Sequence, residues 1–137
     1  MKKVYVDTNI LVDLLIDRPP FTKLAIEIFN KADKNSVKLF TSSHSLATTH
    51  YILKKHISEI ALRELLFSLL KYIDVVPIDI SIIMKSLLST HKDFEDAIQI
   101  FAANTIDQLD FIVTRNLKDF KGATIRVLPP DELLEYL

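Results

Sequence analysis

Short apolar runs alternate along this chain with longer stretches in which apolar residues recur every three to four positions. The short runs are predicted to be strands, at 4–6, 38–41, Ile73–Val76, Phe111–Val113 and 125–128. The longer stretches are predicted to be amphipathic helices, at 22–32, from Ser42 to about His56, at 58–69, at 81–88, after Asp93 and at 130–136. This alternation predicts an α/β protein whose parallel sheet is covered by helices on both faces.

Composition narrows this picture to one domain. The 137 residues are 49% hydrophobic and include a single glycine, and no linker or repeat interrupts them, so we interpret residues 1–137 as a single domain. A formal net charge of −1 excludes a protein-wide positive field, and any nucleic-acid contact must come from a local patch. With no cysteine, no signal-peptide pattern and no apolar stretch of membrane length, we expect a cytoplasmic protein.

Polar residues follow two of the predicted strands at the point where each strand ends. Asp7 follows the first strand, and Thr114 and Asn116 follow Phe111–Val113. In parallel α/β sheets, ligands bind outside the carboxyl ends of strands, near the point where the strand order reverses. If these two strands are neighbours, their polar ends therefore converge on one crevice.

Three aspartates near predicted helix starts have two interpretations each. Asp7 can cap the helix that contains Ile10 and Leu11. Asp93 can cap the helix that follows it, with Asp96 three residues on in a variant of the capping-box position. Negative charge also favours helix N-termini, so capping alone would explain all three. The competing interpretation is that the three carboxylates face a common crevice and serve its chemistry. The sequence leaves both interpretations open.

The segment 114–120 supplies further oxygen-bearing side chains. Asn116 and Asp119 either close a polar turn or offer oxygens to a hard cation, with Thr114 hydrogen-bonding nearby. Mg²⁺ and Mn²⁺ prefer such oxygens, and an ion would relieve the repulsion among clustered carboxylates. An ion that activates water supports phosphodiester hydrolysis, and Arg115 and Lys118 are placed to hold a phosphate backbone.

Other chemistry-bearing residues exclude several function classes. No two of the four histidines have the i, i+4 spacing of a helical metal site, so we interpret them as surface or capping residues. Gly122 stands alone, which argues against the glycine-rich phosphate loops of nucleotide-binding folds. A receiver-like regulatory module is disfavoured, because the first strand ends in a single aspartate and no matching lysine follows the last strand.

Four motifs, in this order, resemble the PIN domain in the small form found as the ribonuclease toxin of VapC-like toxin–antitoxin pairs. They are VYVDTNIL at 4–11, DFEDA at 93–97, VTRN at 113–116 followed by Asp119 and Phe120, and LPPDELL at 128–134. Each motif is weak alone, but together they span nearly the whole chain. The resemblance implies a three-layer α/β/α fold with a central, mainly parallel sheet of four to five strands.

The same resemblance implies an endoribonuclease that uses Mg²⁺ or Mn²⁺ to activate water against RNA. It implies the catalytic set Asp7, Asp93, Asp96, Asn116 and Asp119. Asp93 is the auxiliary acid of that set, the other four are the implied metal ligands, and Thr114 positions the neighbouring loop. Homodimers are common in such proteins, and an antitoxin peptide often occupies the crevice, so a second copy and an antitoxin are the expected protein partners.

The chain departs from the family pattern at two positions. Where active members carry a glutamate in the helix after the second strand, this sequence has Thr48, a neutral and weaker ligand. We place Thr48 with Thr114, Arg115 and Lys118 among the candidate substrate contacts. Asn116 also stands where many relatives have an aspartate, although Asp119 can compensate. The alternative function is therefore a degenerate PIN domain that binds RNA or a partner protein without cleavage.

Overall fold

A computed structural model describes every residue of the chain, Met1–Leu137. The strands are β1 (Lys2–Val6), β2 (Val37–Ser42), β3 (Ile73–Val76), β4 (Phe111–Val113) and β5 (Arg126–Leu128). The helices are α1 (Thr8–Leu15), α2 (Phe21–Asp33), α3 (Ser43–Leu53), α4 (Glu59–Leu69), α5 (Ile80–Leu88), α6 (Phe94–Asn104) and α7 (Pro130–Leu134), and a 3₁₀ helix spans Leu117–Phe120. None of the helices has the length and apolar character needed to span a bilayer.

The five strands form one all-parallel sheet in the order β3-β2-β1-β4-β5. β1 is central, and its Tyr5 is in register with Phe40 of β2 on one side and Ile112 of β4 on the other. The chain adds β2 and β3 on one side of β1, then crosses through α5 and α6 to add β4 and β5 on the other. Strand order therefore reverses between β1 and β4, which is where such sheets bind ligands.

Both faces of the sheet are buried, and side chains along β1 alternate between them. Val4 and Val6 belong to the larger core cluster, together with Ile28 of α2. Tyr5 belongs to the cluster on the opposite face, together with residues of α5 and α6 and with Phe120. Helices thus cover the sheet on both sides, and the expected three-layer α/β/α fold with a five-stranded parallel sheet is confirmed.

The predicted helices and strands are all present, and their ends differ from expectation by a few residues. Ser42 caps α3 as predicted, because its hydroxyl accepts the Ser45 N–H at 3.0 Å. α3 ends at Leu53 rather than near His56, because the N–H groups of His56 and Ile57 both turn back to the Leu53 carbonyl. This early end leaves room for a short turn before α4.

Candidate active site

The side chains predicted to form a site gather where β1 and β4 end. The backbone N–H of Asp7 donates to the Val113 carbonyl at 3.1 Å, so the two strand ends lie side by side. A crevice of about 230 Å³ opens above them, and only two of its lining residues are hydrophobic. The predicted site residues that line it are Asp7, Thr48, Asp96, Asn116 and Asp119. A crevice with this lining suits a charged ligand better than an apolar one.

Asp7 lies at the floor of the crevice and is 6% exposed. Its Oδ1 accepts from the Thr8 N–H and from Gln99 Nε2, both at 2.7 Å. Its Oδ2 accepts from Thr114 Oγ1 at 2.7 Å and from Asn9 Nδ2 at 3.1 Å. Burial raises the pKa of Asp7, and the bonds from Thr114, Gln99 and Thr8 oppose that rise. The carboxylate is therefore held in one orientation by donors from three separate segments.

Gln99 is a site residue that the sequence interpretation missed. Its Oε1 accepts from Tyr5 Oη at 3.0 Å and from Ser45 Oγ at 2.8 Å. Two hydroxyl donors on the carbonyl oxygen leave the amide nitrogen to face Asp7, so the network fixes which way the amide points. A signal was present, because Gln99 is a polar residue within an apolar stretch of α6 and lies three positions after Asp96.

Asp96 is half-buried one turn before Gln99, and its pKa is raised to about 7. Burial is the main cause, followed by the negative charges of Asp119, Asp93 and Asp7. No lysine, arginine or histidine forms a salt bridge with Asp93, Asp96 or Asp119. These three acids therefore have no direct ion-pair partner to offset their negative charge.

The side chains around Asp7 and Asp96 are of the chemical type that binds a hard divalent ion, although they do not form a complete metal site. No group of three or more histidine or acidic side chains lies close enough together to hold a metal ion. Apart from the His44 imidazole, the candidate donors around Asp7 and Asp96 are carboxylate, amide or hydroxyl oxygens, which is the ligand type that Mg²⁺ and Mn²⁺ prefer. Mg²⁺ also keeps several of its waters, so it needs few protein ligands in direct contact.

The loop after β4 brings Asn116 and Asp119 to the crevice rim, where both are exposed. The Asn116 N–H donates to Thr114 Oγ1 at 3.0 Å, and the Asp119 N–H donates to the Asn116 carbonyl at 3.1 Å. Thr114 therefore links Asp7 to this loop through its single hydroxyl. The turn is thus closed by backbone groups and the Thr114 hydroxyl, and the prediction that the side chains of Asn116 and Asp119 close it is wrong.

Asp93 caps α6, because its Oδ1 accepts the Asp96 N–H at 3.0 Å. It does not line the crevice itself but lies in an adjoining groove, which it shares with Asp96. Its charge still reaches the crevice, because it is among the causes that raise the pKa of Asp96. The Asp93 side chain thus both caps α6 and helps to raise the pKa of Asp96.

Arg115 makes a different contact from the phosphate contact suggested by the sequence. Its Nε and Nη2 donate to the two carboxylate oxygens of Asp13 at 2.6 and 3.0 Å, and its guanidinium lies 4.1 Å from the centre of the Phe21 ring. Asp13 is 1% exposed, so this is a buried bidentate pair that ties α1 to the loop after β4. Arg18, 3.6 Å from Asp13, lines the crevice instead.

Thr48 faces the crevice from α3, where the family resemblance places a glutamate. His44 lies one turn earlier on the same wall, with its Nε2 3.5 Å from Thr48 Oγ1 and 3.7 Å from Glu95 Oε1. The interpretation of all four histidines as surface or capping residues is wrong for His44. The i, i+4 spacing between His44 and Thr48 was the available signal, because such residues share a helix face.

Comparison with known proteins agrees with this architecture. The family model described as PIN domain matches residues 3–118. The chain belongs to the PIN domain family. It is also similar to Ribonuclease VapC1 of Aquifex aeolicus (strain VF5), with 26% identity over 98% of this chain and 94% of that protein. The PIN domain predicted from four sequence motifs is therefore confirmed.

Solved structures share the fold across most of their length. A toxin–antitoxin complex from Klebsiella pneumoniae matches with a TM-score of 0.65 and 26% identity, covering 93% of this chain and 97% of that one. VapC20 of Mycobacterium tuberculosis, described as a Sarcin-Ricin loop cleaving toxin, matches with a TM-score of 0.62 and 17% identity, covering 80% of this chain and 86% of that one. The second likeness supports the PIN fold alone, because its identity is low.

Proposed function

We propose that this PIN domain is a Mg²⁺- or Mn²⁺-dependent endoribonuclease that hydrolyses RNA phosphodiester bonds. The observation that carries the proposal is the group of acids around Asp96, none of which is paired with a protein cation, at the switch point between β1 and β4. Acids placed this way are costly to keep ionised unless an ion neutralises them. The similarity to a protein named ribonuclease supports RNA as the substrate.

Asp7, Asp96, Asn116 and Asp119 are the residues that would hold the ion. When bound, the ion would lower the pKa of a water and stabilise charge on the phosphodiester. Asp7 contributes a carboxylate whose orientation is preset by Gln99 and Thr114. Its oxygens already accept four hydrogen bonds, so Asp7 would have to exchange one of these donors to contact the ion directly.

Thr48 makes the site less negative than one with a glutamate at that position. A hydroxyl adds no charge, so we expect weaker affinity for a divalent ion in the absence of RNA. The phosphate oxygens of RNA would then supply the missing ligands. Thr48 and His44 would then contact the substrate from the crevice wall, where His44 lies beside Glu95.

We further propose that the protein is the toxin of a toxin–antitoxin pair and acts in the cytoplasm as a homodimer. A structural relative described as a toxin–antitoxin complex supports an antitoxin partner. An apolar patch on α5, with Ile80, Met84, Leu87 and Leu88 exposed, supports the dimer because a second copy would remove it from water. Sedimentation of the purified chain tests the dimer separately from activity.

The central test is cleavage of single-stranded RNA with Mg²⁺ or Mn²⁺, and its loss in EDTA. A covalently closed RNA circle should also be cut, because an endonuclease needs no strand end. Asp96→Asn should abolish cleavage, whereas Asp33→Asn, an exposed acid at the end of α2, should leave it unchanged. If the wild type cuts no RNA with either metal, the enzyme proposal fails in favour of a PIN domain that binds without cleaving.

A further inference from the structure

A second groove adjoins the crevice and is lined entirely by polar residues and glycine. Its volume is about 700 Å³, and it lies between the α5–α6 loop and the 3₁₀ helix with the turn that follows it. Lys92 belongs to the loop, and Lys118 and Lys121 belong to the other side. All three lysines are exposed, and none forms a salt bridge. We call this feature the lysine groove.

The only glycine in the chain helps to build the lysine groove. A Cβ at Gly122 would lie 2.3 Å from His91 Cε1, so the imidazole packs directly on the glycine backbone. The same imidazole meets the Phe101 ring of α6 edge-on, with the ring centres 5.9 Å apart. His91 thus joins α6 to the turn after the 3₁₀ helix, which holds the two lysine-bearing segments on opposite sides of one gap.

The lysine groove and the crevice are continuous, because Asp96 and Asp119 line both. These two acids, called the acidic centre below, therefore have three lysines on one side. On their other side, the crevice contains Arg18 and His44. Basic side chains therefore lie on both sides of the acids, although the net charge of the chain is −1.

We propose that the lysine groove binds the phosphates of the RNA strand on one side of the bond to be cut, so that the strand passes across the acidic centre. The inference rests on the proposed function and assigns a path to its substrate. Single-stranded RNA carries a charge at every phosphate, and lysines bind such a chain mainly by releasing its counterions. A protein partner fits less well, because the groove has no hydrophobic lining residue to form the apolar core of an interface.

The acids in the groove make this binding depend on a divalent ion. Asp93, Asp96 and Asp119 lie among the lysines and oppose the approach of phosphate. A cation bound at the acids would offset their charge and leave the lysines to attract RNA. RNA affinity should therefore rise when a divalent ion is added, and the lysine groove should account for much of the rise.

The test compares two variants that lose the same charge. The groove variant is Lys92→Ala/Lys118→Ala/Lys121→Ala, and the control variant is Lys34→Ala/Lys71→Ala/Lys85→Ala, whose lysines are exposed and line neither cavity. Binding of a short, labelled single-stranded RNA is measured by fluorescence anisotropy with Ca²⁺ in place of Mg²⁺, and the RNA is checked by gel for integrity. Circular dichroism confirms that both variants fold.

Relative to the control variant, the groove variant should bind RNA about 10- to 100-fold more weakly at about 0.1 M salt. The slope of log affinity against log salt should fall by about 2, because each lost phosphate contact removes about 0.7. Equal affinity and equal slope in the two variants would overturn the proposal that the lysine groove binds RNA, even if the wild type cleaves RNA. Conversely, weaker binding by the groove variant with no cleavage by the wild type would support RNA binding by the groove and refute the nuclease proposal. A wild type that does not bind RNA overturns both.

Discussion

Replacing Asp96 by asparagine should stabilise the metal-free protein at and above neutral pH, although it removes a residue of the proposed site. Asparagine keeps the shape of the side chain and removes a charge that is disfavoured by burial and by Asp119, Asp93 and Asp7. The folded state raises the pKa of Asp96 from 3.8 to about 7, so it binds the Asp96 proton more tightly than the unfolded chain does. The wild type therefore loses stability as pH rises from about 4 to about 7, and the loss is complete above that range.

The size of the effect follows from the shift after allowance for solvent. A shift of one pKa unit corresponds to about 1.4 kcal/mol when it is fully expressed. Because water reaches the half-buried Asp96, screening reduces the total to about 1–2 kcal/mol. Asp96→Asn should thus exceed the wild type in free energy of unfolding by about 1–2 kcal/mol near pH 8, and the gap should shrink towards zero near pH 4.

Urea unfolding followed by circular dichroism in EDTA measures this gap across the pH range. Asp33→Asn is the control, because an exposed acid should show no comparable pH-dependent gain. Saturating Mg²⁺ should stabilise the wild type more than Asp96→Asn, since an ion bound at the acids removes the same repulsion. A gap that is absent at pH 8, or that grows as the pH falls, would refute this electrostatic account of the site.

Five further substitutions, in four experiments, test other contacts. Gln99→Leu removes the donor to Asp7 Oδ1, and we expect a loss of about 1–3 kcal/mol in urea unfolding together with reduced RNA cleavage; unchanged cleavage would deny Gln99 a positioning role. Asp13→Asn leaves Arg115 without its buried partner and should cost about 3 kcal/mol or more, measured the same way. Gly122→Ala should lower the melting temperature, and His91→Ala in the same protein should recover part of the loss, because the added methyl group meets the imidazole. Thr48→Glu should strengthen Mn²⁺ binding in isothermal titration, and no change would place that side chain away from the ion.

The sequence predicted the local structure well, because each signal there lies within a few residues. Runs of three to four residues marked the strands, and Ser42, Ser58 and Asp93 all cap the helices that follow them. The convergence of Asp7 with Thr114 could be stated only as a condition, since it requires β1 and β4 to be neighbours. The structure meets that condition by placing β1 between β2 and β4.

Contacts between distant segments were decided by tertiary packing. Asp13 and Arg115 are 102 positions apart, and nothing in either neighbourhood of the sequence indicates that they pair. Gln99 reaches Asp7 across 92 positions because α6 crosses the end of β1.

The alternation of strands and helices, the capping residues and the available oxygen donors can be predicted from sequence, because hydrophobic periodicity and side-chain chemistry are local properties. Long-range packing, in contrast, sets which donors meet, that Arg115 binds Asp13, and that His91 packs on Gly122 beside the lysine groove. These outcomes depend on strand order and helix packing, which bring together residues about a hundred positions apart in the chain.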